Sequence, residues 1–230
     1  MPVIAFANSK GGSGKTTSAL LLAQALAAHK TTTLIDADPR RPVTTWAERP
    51  GCPEALTVVT NQSEKTILDE IETAAARDPF VIIDLEGTAS RLMSYAISQA
   101  DLVIIPMKEQ QQDALAALSV IEEIHRDMKA TRRRIPYAVL FTQSRAAVKS
   151  RTARHIGSQF RDNPHIDCFT TEIHERDAFA AMFSIGGTVA DMDPRLVNGL
   201  DKALGNIEAF RAEVTTRLRA IRAAQEGRAA

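Results

Sequence analysis

Nine consecutive residues, Ser9-Lys10-Gly11-Gly12-Ser13-Gly14-Lys15-Thr16-Thr17, bring together the chemistries that a bound polyphosphate requires. Glycines let successive backbone N–H groups turn inward on phosphate oxygens, and a helix starting just after them adds the positive end of its dipole at the same point. Lys15 supplies charge to the β and γ phosphates, and Thr16 offers a hydroxyl to Mg²⁺. Gly11, Gly12, Ser13, Gly14 and Thr17 complete the candidate nucleotide-binding set. The generic phosphate-loop spacing asks for glycine where Ser9 stands, and this chain has in addition a lysine at position 10. Two further carboxylates sit at predicted strand ends: Asp38 in Asp36-Ala37-Asp38-Pro39 and Asp84 after Ile82-Ile83. Taken singly these are ordinary strand-end or helix-cap acids. Beside a phosphate loop they occupy the place where an open α/β sheet puts its ligand chemistry.

These residues need a parallel sheet to position them, and the sequence supplies its pattern. Val3–Phe6, Thr33–Ile35, Leu56–Val59, Phe80–Ile83, Leu102–Ile105 and Tyr137–Phe141 are continuous apolar runs, as expected of strands covered on both faces. Helical spacing predicts helices over 16–29, 64–76, 113–129 and 149–160, and a last one over about 194–224. The expected fold is a doubly wound, mostly parallel α/β sheet with helices on both faces, of the P-loop NTPase type. No repeat, low-complexity tract or long linker divides the 230 residues, so a single domain over 1–230 is expected. With 44% hydrophobic and 24% charged residues the chain can build a core, which excludes disorder as its main theme. No run approaches the ~20 apolar residues of a bilayer span, and Met1 leads into a strand without a signal-peptide pattern, so a cytoplasmic protein is expected. Cys52 and Cys168 are too few and too far apart for a disulfide framework.

The K-G-G-x-G-K-T-T wording with its second lysine resembles the deviant Walker A motif of the ParA/MinD family. Asp36-Ala37-Asp38-Pro39 resembles the family's D-x-D-P segment, and Ile82-Ile83-Asp84 its Walker B strand. Pro106 after Val103-Ile104-Ile105 resembles the family's strand-to-Pro segment. Ile173 to Phe179 is similar to the I-x-x-R-x-A-F stretch of plasmid ParA proteins, and Glu175 to Met182 also to ParA-like proteins of conjugative and T-DNA transfer systems. The resemblance spans roughly residues 3 to 195. It implies an ATPase using ATP and Mg²⁺, in which Thr16 binds the metal, Asp84 holds a metal-bound water and Asp38 orients the attacking water. Lys10, by the same resemblance, reaches across a homodimer interface to the partner's nucleotide, so that Lys10, Lys15 and Asp38 form the catalytic set.

Two stretches depart from the family. Leu85-Glu86-Gly87-Thr88-Ala89-Ser90 replaces a proline-containing segment and puts Glu86 near the metal region. Thr142-Gln143-Ser144-Arg145 replaces the wording that often lies near adenine, leaving the base contacts open.

The 28 basic and 28 acidic residues are unevenly spread. Residues 126–161 hold ten Lys or Arg against one acid, and residues 162–194 hold one against seven. Arg132, Arg133, Arg134, Arg145, Lys149, Arg151 and Arg154 dominate the basic stretch and are candidates for contacts with DNA phosphates, a solvated helix surface being the alternative. The aromatics between them, Tyr137 and Phe141, belong to an apolar strand run, which disfavours stacking on single strands. The resemblance implies nonspecific binding of double-stranded DNA by the ATP-bound dimer, hence nucleoid association, and a partner such as a ParB-like centromere-binding protein or a relaxase complex. The first strand starts at residue 3, so no N-terminal helix-turn-helix is expected.

In the tail, Ile207, Phe210, Val214, Leu218 and Ile221 recur at helical spacing among Arg211, Arg217, Arg219 and Arg222. Packing on the domain fits this stripe better, because Glu208 and Glu213 share its polar face; a MinD-like membrane helix is the alternative. His165, Cys168 and His174 match no zinc spacing, and Trp46 reads as a packing residue. The expected function is therefore a ParA-type ATPase that positions a plasmid or a DNA-transfer complex. The rivals are a MinD-like membrane-associated positioning ATPase and a metabolic P-loop enzyme of the dethiobiotin-synthetase kind, against which Lys10 speaks.

Overall fold

The computed structural model describes every residue except Ala89, Ala146 and Ala230, with side chains through Gly227. Ala89, inside one of the two departures above, therefore lies outside the described residues. In chain order the elements are β1 (Val3–Phe6), α1 (Lys15–Ala27), β2 (Thr32–Ala37), α2 (Pro42–Ala47), β3 (Leu56–Thr60), α3 (Ile67–Arg77), β4 (Phe80–Leu85) and α4 (Arg91–Gln99). Then come β5 (Leu102–Met107), α5 (Gln111–Thr131), β6 (Tyr137–Ser144), α6 (Arg151–Arg161), β7 (Ile173–His174), α7 (Asp177–Ile185), a 3₁₀ turn (Val189–Asp191) and α8 (Leu200–Ala229).

The strands form one seven-stranded sheet in the order β3-β2-β4-β1-β5-β6-β7. Every pairing among them is parallel, a stricter arrangement than the mostly parallel sheet expected. Strand residues alternate between two cores, which is why their apolar runs are continuous. Ile4, Phe6, Leu34, Ile82, Ile104 and Leu140 face α1, α2, α7 and α8. Val3, Ala5, Ile35, Ile83, Ile105 and Phe141 face α3, α4, α5 and α6. Within α1, Leu20, Leu21 and Leu22 are all fully buried, each worth about 1.5–3 kcal/mol of transfer free energy, so this helix is anchored on all sides.

Three helices and one strand escaped the sequence reading: α2, α4, α7 and β7. Each spans nine residues or fewer, too short for a helical or strand period to stand out. The last helix begins at Leu200 and not near Pro194, because Gly199 takes φ 72° immediately before it. The apolar stripe of α8 is spent inside the protein: Ile207, Phe210 and Val214 are buried, and Leu218 and Ile221 pack partly buried against the same core. The packing alternative for the tail is the one observed.

Candidate active site at the carboxyl ends of the strands

Strand register brings the candidate residues together. Asp84 on β4 stands opposite Asp36 on β2 and Phe6 on β1, so both acids reach the sheet's carboxyl edge beside the loop that leaves β1. That loop turns through Gly12 at φ 72° and Gly14 at φ 94°, conformations that a side chain would strain. A Cβ on Gly14 would also lie 3.0 Å from Thr142 of β6, whose hydroxyl donates to Ser13 O at 2.6 Å. Lys15 opens α1 and is buried, with its ammonium donating to Lys10 O at 3.1 Å. Burial lowers the Lys15 pKa, and the negative charges of Asp84, Asp38 and Glu86 work against that shift.

Asp84 is the most perturbed acid of the site. Its side chain is fully buried, and among the described residues only the Thr16 hydroxyl approaches its oxygens, without forming a well-shaped hydrogen bond. Burial pushes its pKa up to about 7; Thr16 and Lys15 pull it down, while Asp36 and Asp38 add to the rise. A buried carboxyl left without partners beside a threonine hydroxyl fits an oxygen-preferring divalent cation, which would take both as ligands directly or through water. The residues present therefore fit Mg²⁺, with Thr16 and Asp84 as its protein groups. Ser13 and Ser18 add two further buried hydroxyls without partners near the loop.

Asp36 has a structural task that sequence left open. It accepts hydrogen bonds from Asp38 N at 3.3 Å, Thr44 N at 2.7 Å and Thr44 Oγ1 at 2.8 Å, tying the Asp38 turn to the start of α2. Asp38 itself is partly exposed, and one of its oxygens accepts from Arg40 N at 2.8 Å. Trp46 of α2 is buried and donates to Gly187 O at 3.0 Å, so it packs as expected. The Glu86 segment lies against the phosphate loop: a Cβ on Gly87 would come within 3.0 Å of Gly11 N. A larger residue there would press on the loop backbone.

Within this chain Lys10 has a partner of its own. Its ammonium pairs with Asp113 of α5, a residue that carried no signal in sequence because the contact joins positions 103 apart.

A cavity of about 430 Å³ adjoins Gly14, Thr17 and Ser18, walled by Thr142 and Gln143 of β6 and by His174, Arg176, Phe179 and Phe183 around β7 and α7. The Ile173 to Phe179 stretch thus borders the loop, and Gln143 takes φ 50° there. Arg176 contributes a buried Nε without a partner among the described residues.

The basic stretch divides into residues with internal partners and residues left exposed. Arg133 donates to Ser98 O and, at 3.0 Å, to Ala100 O, closing the end of α4. Lys149 bonds Glu109 at 2.9 Å and Glu172 at 2.6 Å, and Arg161 joins the same two acids. Arg132, Arg134, Arg145, Arg151 and Arg154 are exposed. The eight residues of β6 separate the first two from the other three by roughly 25 Å.

The family described as VirC1 protein matches residues 1–193. Protein ParA of Rhizobium radiobacter is 37% identical over 220 residues, covering 95% of this chain and 98% of that protein. Protein virC1 of Rhizobium rhizogenes is 30% identical over 188 residues, covering 79% of this chain and 80% of the relative. Among solved structures, the ATP complex of a Cyanothece McdA variant superposes with a TM-score of 0.78 at 14% identity, over 94% of this chain and 96% of that one. At that identity it speaks for the fold alone. No described helix is long and apolar enough to cross a membrane. The sequence matches and the architecture agree: this chain belongs to the VirC1 family and is of the ParA/MinD type.

Proposed function

We propose that this chain hydrolyses ATP with Mg²⁺, dimerises around the nucleotide, and as a dimer binds duplex DNA without sequence preference to position a plasmid or a DNA-transfer complex. The observation that carries the ATP reading is the buried, unpartnered Asp84 carboxyl set beside Thr16 and Lys15 at a glycine-shaped loop. Phosphoryl transfer asks mainly for positioning and charge neutralisation. The backbone N–H groups of residues 11–17 cradle the phosphates, and Lys15 neutralises their charge. Bound Mg²⁺ would neutralise charge on the β and γ oxygens, with Thr16 and Asp84 holding it. Asp38, fixed by the Asp36–Thr44 bonds, orients the attacking water. Lys10 meets the partner's phosphates. The cavity beside Gly14 joins the apolar side chains of Ile173, Phe179 and Phe183 to polar groups of Thr142, Gln143 and His174, a mixture that can hold a base by stacking and hydrogen bonding.

For DNA, the structure favours Arg145, Arg151 and Arg154, the exposed arginines at the carboxyl end of β6 and the start of α6. Lys149 and Arg133 are committed to internal partners. We assign residues 1–230 as one ATPase domain, acting in the cytoplasm at the nucleoid, with a ParB-like protein or a relaxase complex as its partner. The names of the relatives support this: ParA and virC1 proteins stand among them. Nothing specific favours the membrane reading, whose apolar stripe is packed against the core. The test is ATP turnover and light scattering with ATP and Mg²⁺. A chain that neither binds ATP nor associates in its presence contradicts the proposal.

A further inference from the structure

The link between Lys10 and Asp113 joins the mouth of the phosphate loop to the first turn of α5. The Asp113 side chain is fully buried, while 31% of the Lys10 side chain is exposed. The other Asp113 oxygen faces the Lys108 N–H at 3.4 Å, and no second cation pairs with it among the described residues. The loop backbone is tied to the same region. Lys10 N donates to Asn8 Oδ1 at 2.9 Å, and Asn8 Nδ2 donates to Pro106 O at 2.7 Å.

A buried carboxylate held by one ammonium resists losing it, because the departing cation leaves an uncompensated charge in a poorly solvated place. The same negative charge repels a second group of anions brought to that spot. Both effects oppose one event, the transfer of the Lys10 ammonium to a polyphosphate carried by another chain.

We propose that Asp113 is an intramolecular latch on Lys10, competing with the partner's nucleotide phosphates for its ammonium and so setting the threshold for dimerisation. The inference rests on the reading that Lys10 crosses the dimer interface. Asp113 acts through Lys10 and touches no nucleotide of its own chain. Its removal should therefore change association and leave nucleotide affinity within one chain as it was.

The test follows full-length Asp113→Asn by light scattering with AMPPNP and Mg²⁺, over a range of protein concentrations. Asparagine keeps the shape and removes the charge. Half-maximal dimerisation is expected at a protein concentration roughly tenfold lower than for the unaltered chain, the effect of one weakened charge pair. Asp113→Glu, which retains the charge, should stay close to the unaltered chain. AMPPNP affinity at concentrations below association, together with a melting curve, shows that the fold and pocket are intact. An unchanged midpoint overturns the latch. A higher midpoint also overturns it and makes Asp113 a group that positions Lys10 for contact.

Lys10→Ala, measured in parallel, tests the underlying reading separately. If that variant dimerises like the unaltered chain, Lys10 does not cross the interface, whatever Asp113→Asn does. If Asp113→Asn fails to fold, amine-reactive labelling of the unaltered chain without added nucleotide decides. Lys10 should label more slowly than exposed Lys65, and equal rates overturn the latch.

Discussion

The carboxyl ends of β1, β2 and β4 and the basic stretch around β6 both gather charge, and they treat it in opposite ways. At the first, Asp84 is buried with both oxygens unpartnered among the described residues, and the hydroxyls of Ser13 and Ser18 are buried in the same condition. At the second, Lys149 and Arg161 share Glu109 and Glu172, and Arg133 closes the end of a helix. Unpaired buried polar groups cost stability, so each calls for an explanation; at the loop a bound cation supplies one, whereas Asp127 Oδ2 on α5, buried in the same condition, has no such neighbour among the described residues. Paired charges answer a structural need within the fold. A charge excess counted along the chain is therefore a poor guide to a binding surface, whereas an unsatisfied acid at a strand end is a good one.

The contrast can be broken most decisively at Lys15. Lys15→Ala removes the buried cation from the phosphate cradle, and calorimetric titration should find ATP affinity lower by roughly two orders of magnitude or more. Unchanged affinity would remove the site assignment.

Next in size is Asp38→Ala, which should still bind ATP and dimerise. Its turnover should fall roughly 10²- to 10⁴-fold, the usual worth of a group that orients and activates a reacting water. Phosphate release under saturating ATP measures it; turnover near that of the unaltered chain would place the water elsewhere.

Asp84 offers a pH test of the unpartnered acid. Its pKa of about 7 in the fold lies above the ~3.9 of an unfolded chain, so the folded state holds the proton more tightly. The sign follows for this one group: the Asp84 contribution to stability is greatest below about pH 4, declines as the pH rises to about 7, and is level above that. The difference between melting curves of the unaltered chain and Asp84→Asn, taken without nucleotide or metal, should show this decline, with the other carboxylates cancelling. The difference at pH 8 should be a few kcal/mol, or roughly 5–10 °C in Tm. Mg²⁺ needs the carboxylate and should bind more tightly as the pH rises through 7. Equal pH profiles for the two chains would mean that Asp84 is satisfied in solution.

The smallest effects separate free from committed cations. Replacing Arg145, Arg151 and Arg154 with Ala should flatten the salt dependence of duplex binding by roughly 0.9 log unit per lost phosphate contact, equally for all sequences. Lys149→Ala should leave that slope unchanged. It should instead lower stability by about 1–3 kcal/mol, because Glu109 and Glu172 then share only Arg161. A reversed outcome, with Lys149 controlling the salt slope, would show that its ion pairs open to meet DNA.

Much of this protein was legible in its sequence because the signals are local or repeat along the chain. Nine contiguous residues state the phosphate loop, and continuous apolar runs state six of the seven strands and their burial on both faces. The short elements α2, α4, α7 and β7 were not legible, since they hold too few residues to show a period against the background. Contacts between distant segments were equally hidden. Asp113 meets Lys10 across 103 positions, and Thr142 meets Ser13 across 129. The division of the basic stretch into paired and exposed residues depends on Glu109 and Glu172, which reach Lys149 only once β5, β7 and α6 are assembled. Sequence by itself determined which residues are candidates to bind phosphate and metal, because that chemistry depends on residue type and close spacing. Tertiary structure alone decided which charges remain available, because pairing and burial depend on the packing of segments that the sequence keeps apart.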